Sequence, residues 1–170
     1  DRGWRGTVFI VDDNFIGHKA KVKSLLHAII SWQSRRTRRL NFFTEASVDL
    51  AEDEELMNLM VQAGFNKVFL GIETPSLDSL RECGKSQNLR RSLVDSVRII
   101  QNHGLAVMGG FIIGFDNDPP DIFERQVQFI QKTGIVTAMI GLAPVYINVS
   151  NRKGGCFLNL RAIILMSVAV

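Results

Sequence analysis

Apolar residues occur in four short runs along this chain, and an acidic or amide side chain follows each run directly. Runs of this kind, rich in β-branched and aromatic residues, predict strands that are buried on both faces, as in a parallel sheet. Because parallel strands end at the same edge of a sheet, the polar groups after them are expected to lie close together. The runs are Val8–Val11 before Asp12 and Asp13, Asn41–Thr44 before Glu45, Val68–Ile72 before Glu73, and Gly110–Phe115 before Asp116–Asp118.

Helical periodicity fills the stretches between these runs. Apolar side chains recur there at three- and four-residue spacing, and Gly64, Gly104 and Gly134 mark the corners at which a helix is expected to turn into a strand. The predicted helices are Val22–Ile30, Leu50–Ala63, Ser76–Cys83, Leu89–His103 with Leu89, Leu93, Val97 and Ile100 buried, and a last helix after Pro119 and Pro120 with Phe123, Val127 and Ile130 inward. A further strand is predicted at Ile135–Leu142.

The alternation of strand and helix repeats roughly every 30 residues, the length of a βα unit with a right-handed crossover. Five parallel strands in this order fit either a barrel or an open doubly wound sheet. The barrel is favoured because polar groups follow every strand, whereas an open sheet concentrates its function at one switch point. The fold class is therefore predicted to be α/β, as a partial or complete barrel.

Composition narrows the classes of function. The chain has 170 residues, of which 46% are apolar, which is enough for the core of one domain. Its net charge of +3 is too small to indicate nucleic acid as a partner. Cys83 and Cys156 lie far apart and match no metal-ligand spacing, so a reducing cytoplasm is expected.

The end of the chain differs from its body. Residues 145–170 form an atypical apolar tail, which is interpreted as not native to the fold of residues 1–144. Its apolar part is shorter than the roughly 18 residues of a membrane span, and no span is predicted. The chain starts at Asp1 directly before a strand, and it is therefore interpreted as a piece of a longer protein.

Glu73 is the strongest candidate for a functional residue. An acid at a strand end often caps the next helix, but Thr74 or Ser76 is able to do so here. Lys85 follows the short helix after Glu73 and is within reach of an anionic group, although a surface role is the plainer interpretation. The glycines of Gly109–Gly114 indicate either a flat ligand close to the backbone or tight packing inside a barrel.

Four segments in combination strongly resemble radical S-adenosylmethionine enzymes, and more narrowly the group that carries an upstream cobalamin-binding domain. The resemblance extends from about Gly3 to about Gly141, and the segments are Asp12–Phe15, Phe42–Ser47, Gly71–Pro75 and Met108–Asp116. It implies an α/β fold that is a partial (β/α)6 barrel of the TIM type, with parallel strands. Residues 1–144 would form about strand 2 to strand 6, and the first βα unit would be missing.

The resemblance also implies three cofactors. In such enzymes a 4Fe–4S cluster, held by a three-cysteine loop after the first strand, reductively cleaves S-adenosylmethionine to a 5′-deoxyadenosyl radical. The cluster ligands and the cobalamin (B12) site would lie outside this chain. The parent enzyme is expected to methylate or otherwise functionalise a C–H bond, and the hopanoid methylase type is one candidate. Its substrate would be a small or lipid-like molecule, and its reductant a protein such as flavodoxin or ferredoxin.

Positions are carried over from the family residue by residue. Gly110, Ile112 and Gly114 would line the adenine, and Glu73 and Lys85 would reach the ribose or the methionine portion. The turn of Asp12, Asp13 and Asn14 would lie near the methionyl amino group, and Glu45 would lie at the mouth of the barrel. No catalytic residue is predicted.

Three departures from the family pattern weaken the assignment of the family's residue roles to this chain. The three-cysteine loop is absent, Asn117 stands where many members have an acid, and the apolar tail replaces a polar turn and a charged helix. The chain as written is therefore predicted to bind no cluster and to make no radical. Two alternatives remain open, namely an inactive partial barrel, or a metal-dependent hydrolase or lyase that uses Glu45, Glu73 and either Asp12 or Asp13.

Overall fold

The computed structural model describes residues 3–85, 88, 91–143 and, for the backbone, 163–167. Five parallel strands form one sheet in the order of the chain. The strands are β1 (Val8–Ile10), β2 (Phe42–Ala46), β3 (Phe65–Glu73), β4 (Ala106–Ile113) and β5 (Thr137–Leu142). The sheet curls into a half-barrel with helices between its strands, which confirms the predicted α/β partial barrel.

Helices connect the strands on one side of the sheet. They are α1 (Lys19–Ser34), α2 (Glu54–Ala63), α3 (Leu77–Glu82), α4 (Leu93–Asn102) and α5 (Ile122–Thr133), with a 3-10 turn at Val48–Glu52. The prediction of one helix over Leu50–Ala63 was therefore wrong at its start. Asp53 separates the two pieces because its carboxylate accepts a hydrogen bond from the backbone N–H of Leu56 at 3.0 Å, as an N-cap does.

The two faces of the sheet have different surroundings. Val68, Leu70 and Ile72 of β3 are fully buried in the core, together with helix residues such as Leu26 and Leu56. The intervening residues of β3, which point the other way, are only half-buried. The prediction of burial on both faces was therefore wrong for the second face, which lines the open concave side of the half-barrel.

Helix α5 is rotated relative to its predicted orientation. Phe123 and Val127, predicted to point inward, are 63% and 49% exposed, whereas Ile130 is buried as predicted. Gln126 is buried instead, because its Nε2 donates a hydrogen bond of 2.9 Å to the carbonyl oxygen of Ile112 at the end of β4. A polar side chain thus occupies the inner face where the apolar pattern indicated an aliphatic one.

The last described segment adds a sixth strand. β6 (Ile163–Ser167) pairs with β5 in the antiparallel direction. The interpretation of residues 145–170 as a separate tail stays a prediction. Leu89, predicted to belong to the buried stripe of α4, lies outside the described residues. The remainder of that stripe is confirmed at Val97 and Ile100, which are fully buried.

Candidate functional site

The concave face of the half-barrel encloses a cavity of about 620 Å³. This volume lies in the range that small-molecule ligands fill. Glu45 and Glu73 are its carboxylates, and apolar and aromatic side chains form most of the remainder. Its lining residues are Phe9, Phe43, Glu45, Phe69, Gly71, Glu73, Met108, Gly110, Phe111, Ile112, Met139, Ile140 and Gly141.

Glu73 has an unusual backbone conformation at the end of β3. Its φ of 67° lies in the left-handed region. In the described part of the chain, every other residue with a positive φ is a glycine. The register of β3 and β4 shifts at this point, because Gly71 pairs with Gly110 and Glu73 pairs with Phe111. Ile72 is thus the extra residue of a bulge, a feature that redirects side chains near functional sites.

The Glu73 carboxylate lies over Gly71, the preceding residue on the same face of β3. A Cβ atom on Gly71 would lie 2.8 Å from Oε1 of Glu73, so the absence of a side chain at residue 71 leaves room for the carboxylate. Oε1 also lies 2.9 Å from Nζ of Lys85. The Glu73 side chain is 13% exposed and the Lys85 side chain 39%, so this ion pair lies between the cavity and solvent.

The alternative role of Glu73 as a helix cap is not observed. Ser76 caps α3, because its Oγ accepts a hydrogen bond of 3.4 Å from the backbone N–H of Ser79. Thr74 accepts one of 3.2 Å from the N–H of Ser76. The Glu73 carboxylate is therefore available to the cavity.

Asn88 is hydrogen-bonded to the backbone of the bulge, and the sequence analysis did not predict it as a site residue. Its Nδ2 donates hydrogen bonds of 3.1 Å to the carbonyl oxygen of Gly71 and 3.0 Å to that of Ile72. The residue is 2% exposed, and its buried Oδ1 has no hydrogen-bond partner within the described part of the chain. Asn88 lies in a short stretch without apolar periodicity, so no pattern indicated that it is buried.

The turn after β4 is held by two carboxylates. Gly114 has a φ of 101°, and its N–H donates a hydrogen bond of 2.8 Å to Oδ2 of Asp118. Oδ2 also accepts one of 3.0 Å from the N–H of Phe115, and Oδ1 accepts one of 2.7 Å from the Ser79 hydroxyl. Asp118 thus joins this turn to α3.

Glu82 makes the second connection between α3 and this turn. Its carboxylate accepts hydrogen bonds of 3.0 Å from the backbone N–H groups of Asp116 and Asn117 and one of 2.9 Å from the Asn117 side chain. These hydrogen bonds, from the N–H of Asn117 first, lower the pKa of the Glu82 carboxyl group. Glu82 was missed in the sequence because its position on a short helix is that of any surface acid.

The Asp12–Asn14 turn lies apart from the residues that line the cavity. All three residues are exposed. Oδ1 of Asp12 accepts a hydrogen bond of 2.9 Å from the N–H of Asn14, and Oδ1 of Asn14 accepts one of 3.2 Å from the N–H of Ser47. The turn is thus fixed to the segment after β2.

The structure brings some of the predicted site residues together and leaves others apart. Glu45, Glu73, Gly110 and Ile112 line one cavity, and Lys85 lies against Glu73. Asp12, Asp13, Asn14 and Gly114 do not line this cavity.

The described residues offer no set of ligands for a metal or a cluster. Within them, no group of three or more His, Cys, Asp or Glu side chains is close enough to hold a metal ion, so the hydrolase alternative finds no ligand set there. Cys83 is half-buried, and burial raises the pKa of its thiol. Cys156 lies outside the described residues. A 4Fe–4S cluster therefore does not fit the residues described here.

No helix in the described part of the chain has the length and apolar character that a membrane crossing needs.

Comparison with known proteins supports the resemblance seen in the sequence. No protein-family model matches the chain. An uncharacterized methyltransferase of Synechocystis is 51% identical over 140 residues, which are 82% of this chain and 26% of that protein. The hopanoid C-2 methylase of Rhodopseudomonas palustris is 37% identical over 140 residues, 82% of this chain and 27% of the methylase. The chain thus spans about a quarter of the length of these relatives.

Two solved structures share the fold of this chain. The radical S-adenosylmethionine methyltransferase TsrM of Kitasatospora setae, with cobalamin and a 4Fe–4S cluster bound, superposes with a TM-score of 0.65 at 19% identity. The match covers 80% of this chain and 27% of TsrM. The cobalamin-dependent S-adenosylmethionine radical enzyme OxsB superposes with a TM-score of 0.60 at 18% identity, over 79% of this chain and 20% of OxsB. By sequence, the chain belongs to the family of its methyltransferase relatives, which includes the hopanoid C-2 methylase, and its fold is the one seen in TsrM and OxsB.

Proposed function

We propose that this chain provides S-adenosylmethionine-binding strands in the barrel of a cobalamin-dependent radical S-adenosylmethionine methyltransferase. The observation that carries the proposal is the meeting of Glu45, Glu73, Gly110 and Ile112 around one cavity on the concave face of the half-barrel, with Glu73 at the carboxyl end of β3 and Glu45 near that of β2. Strand ends are where barrel enzymes place their chemistry.

The cavity has groups suited to each part of S-adenosylmethionine. The Glu73 carboxylate is assigned to the ribose hydroxyl groups, from which it would accept hydrogen bonds. Lys85, whose Nζ lies 2.9 Å from Oε1 of Glu73, is assigned to the methionyl carboxylate. Ile112 supplies an apolar contact for the adenine. The ring of Phe69 lies against Gly110, so the adenine stacks on that ring or displaces it. The cavity of about 620 Å³ has room for a ligand of this size. Gly114 stays assigned to the adenine end, and Asp12, Asp13 and Asn14 to the methionyl amino group, as positions carried over from the family.

The remaining chemistry is assigned to other parts of a longer protein. The 4Fe–4S cluster supplies the electron for reductive cleavage of S-adenosylmethionine, and its cysteine ligands and the cobalamin site are assigned to residues outside this chain. The chain has two cysteines, fewer than the three that such a cluster loop contains. We therefore expect the 170-residue chain alone to be inactive. A small or lipid-like substrate, a flavodoxin- or ferredoxin-type reductant and a cytoplasmic location belong to the same proposal.

Equilibrium binding of S-adenosylmethionine to the chain tests this proposal, with ligand-detected NMR as the measurement. Glu73→Gln is expected to weaken binding at least about tenfold, because a hydrogen bond to a charged group contributes about 1.5–3 kcal/mol. Glu55→Gln is the matched control, because Glu55 is an exposed carboxylate on α2 that pairs with Lys23. Equal affinities of the two variants would contradict the proposal, as would tight binding of Mg²⁺ that depends on Glu73.

A further inference from the structure

The buried side chain of Asn88 carries a free-energy cost, because one of its polar atoms is not hydrogen-bonded within the described part of the chain. Among the described residues its Oδ1 has no hydrogen-bond partner, and an unpaired buried acceptor is destabilising. An apolar side chain of similar size would avoid this cost. What the amide provides in return is two hydrogen bonds from its Nδ2, to the carbonyl oxygens of Gly71 and Ile72.

Those two carbonyl groups belong to the residues that form the bulge before Glu73. Ladder pairing between β3 and β4 is interrupted there, so the carbonyl groups need other donors. The oxygen of Ile72 accepts a second hydrogen bond of 2.9 Å from the backbone N–H of Thr74. Asn88 and this tight turn thus fix the backbone on both sides of the register shift.

The conformation of Glu73 needs such support. A left-handed conformation is unfavourable for a residue with a side chain, and it persists where neighbouring contacts hold it in place. Alternation along β3 places residues 71 and 73 on the same face of the sheet, and the backbone conformation at residue 73 decides where on that face the carboxylate lies. The position of the carboxylate in the cavity therefore depends on the backbone that Asn88 holds.

We propose that Asn88 is the positioning residue of Glu73: its side-chain amide fixes the Gly71–Ile72 bulge and thereby aims the Glu73 carboxylate at the bound ligand. Asn88 acts through Glu73 and does not touch the ligand in this assignment. The inference rests on the proposed function, because it takes S-adenosylmethionine as the ligand that Glu73 contacts. It adds a residue to the site that the family resemblance did not supply.

A double-mutant cycle tests the coupling, with the affinity of the chain for S-adenosylmethionine as the readout. Asn88→Ala alone is expected to weaken binding about tenfold, similar to Glu73→Gln alone. Once Glu73→Gln is present, Asn88→Ala is expected to change the affinity by less than about twofold, because the carboxylate that it positions is gone. Asn66→Ala is the matched control, an exposed asparagine at the start of the same strand. Circular dichroism establishes the folded fraction of each variant.

A second variant keeps the test decisive if Asn88→Ala does not fold. Asn88→Asp preserves the size of the side chain but replaces the donor by a carboxyl group, which donates a hydrogen bond only when it is protonated. Its affinity relative to the unsubstituted chain is therefore expected to improve as the pH is lowered, at equal folded fraction. A ratio that does not change with pH would contradict the positioning role.

The possible outcomes separate the inference from the function on which it rests. Equal losses from Asn88→Ala with and without Glu73→Gln would overturn the inference alone, because Asn88 would then act independently of Glu73. No loss from Asn88→Ala would overturn it as well. Failure of the unsubstituted chain to bind S-adenosylmethionine would overturn the proposed function, and the inference with it.

Discussion

The ring of Phe69 lies across Gly110 in the space that a side chain at residue 110 would need. A Cβ atom on Gly110 would lie 2.7 Å from Cζ and 2.9 Å from Cε1 of that ring. In this structure the flat group against the glycine is thus an aromatic side chain of the neighbouring strand. An adenine that occupies this part of the cavity would therefore either stack on Phe69 or displace its ring.

Adjacent glycines on β4 should respond differently to the same substitution. A Cβ atom on Gly109 would lie 2.7 Å from the ring of Phe111 and 3.3 Å from Ile135, both of which are 2% exposed and unable to move aside easily. Gly109→Ala is expected to cost about 1–3 kcal/mol in the free energy of unfolding, as overpacking does. Gly110→Ala should cost less, because Phe69 is half-buried and its ring can turn. Urea denaturation of both variants measures the difference, and a larger cost at Gly110 would contradict this account.

Glu73 is expected to trade stability for function. Its φ of 67° suits glycine, so Glu73→Gly should be more stable than Glu73→Ala by about 1 kcal/mol, because only the first substitution removes the strain. Both variants delete the carboxylate and should bind S-adenosylmethionine at least about tenfold more weakly than the unsubstituted chain. Urea denaturation and ligand-detected NMR provide the two measurements. Equal stabilities would show that the backbone at residue 73 is not strained.

Local sequence patterns predicted the elements of the fold and the ends of its strands. The run before Pro75 placed Glu73 at the end of β3, and glycines such as Gly64 and Gly134 marked the ends of helices, as the structure confirms. Strand ends and helix ends depend on residues that are close together in the sequence. The burial pattern and the backbone preferences of those residues are therefore enough to predict them. Of the polar groups expected to meet at the strand ends, Glu45 and Glu73 line one cavity, as the parallel topology predicted, whereas the acids after β1 and β4 do not line it.

The features that the sequence did not reveal depend on contacts between distant segments. The bulge at Glu73 arises from the register of β3 against β4, which the periodicity of either strand alone does not specify. Gln126 and Asn88 are buried because each donates to carbonyl groups at a strand end, and apolar patterns do not detect such polar contacts. The orientation of α5 was predicted wrongly for this reason.

The turn after β4 should depend on Asp118 more than on its neighbour Asp116. Asp118→Ala removes the acceptor of two backbone N–H groups and of the Ser79 hydroxyl, and it is expected to cost about 1–3 kcal/mol, comparable to the loss of a helix cap. Asp116→Ala is the control, because Asp116 is exposed and takes part in the turn through its backbone N–H. Thermal unfolding monitored by circular dichroism measures both variants. Similar losses for the two would contradict a specific role of the Asp118 carboxylate.

Stability should depend on pH through Glu82. Its pKa is lower in the folded chain than in the unfolded chain, because the backbone N–H groups of Asn117 and Asp116 stabilise the ionised carboxylate. Its stabilising contribution is therefore present above the unfolded value of about 4.3 and is lost as the pH falls through the lower folded value.

Glu82→Gln is accordingly expected to lower the urea midpoint at neutral pH. The difference from the unsubstituted chain should shrink as the pH falls below the unfolded value of about 4.3, because the carboxyl group of the unsubstituted chain then also becomes protonated. Asp78→Asn removes one negative charge from the same helix, where Asp78 pairs with Arg81, and it controls for the change in net charge. If the effect of Glu82→Gln were independent of pH, the carboxylate would not hold the turn through its charge, and the connection from α3 to the end of β4 would depend on Asp118 alone.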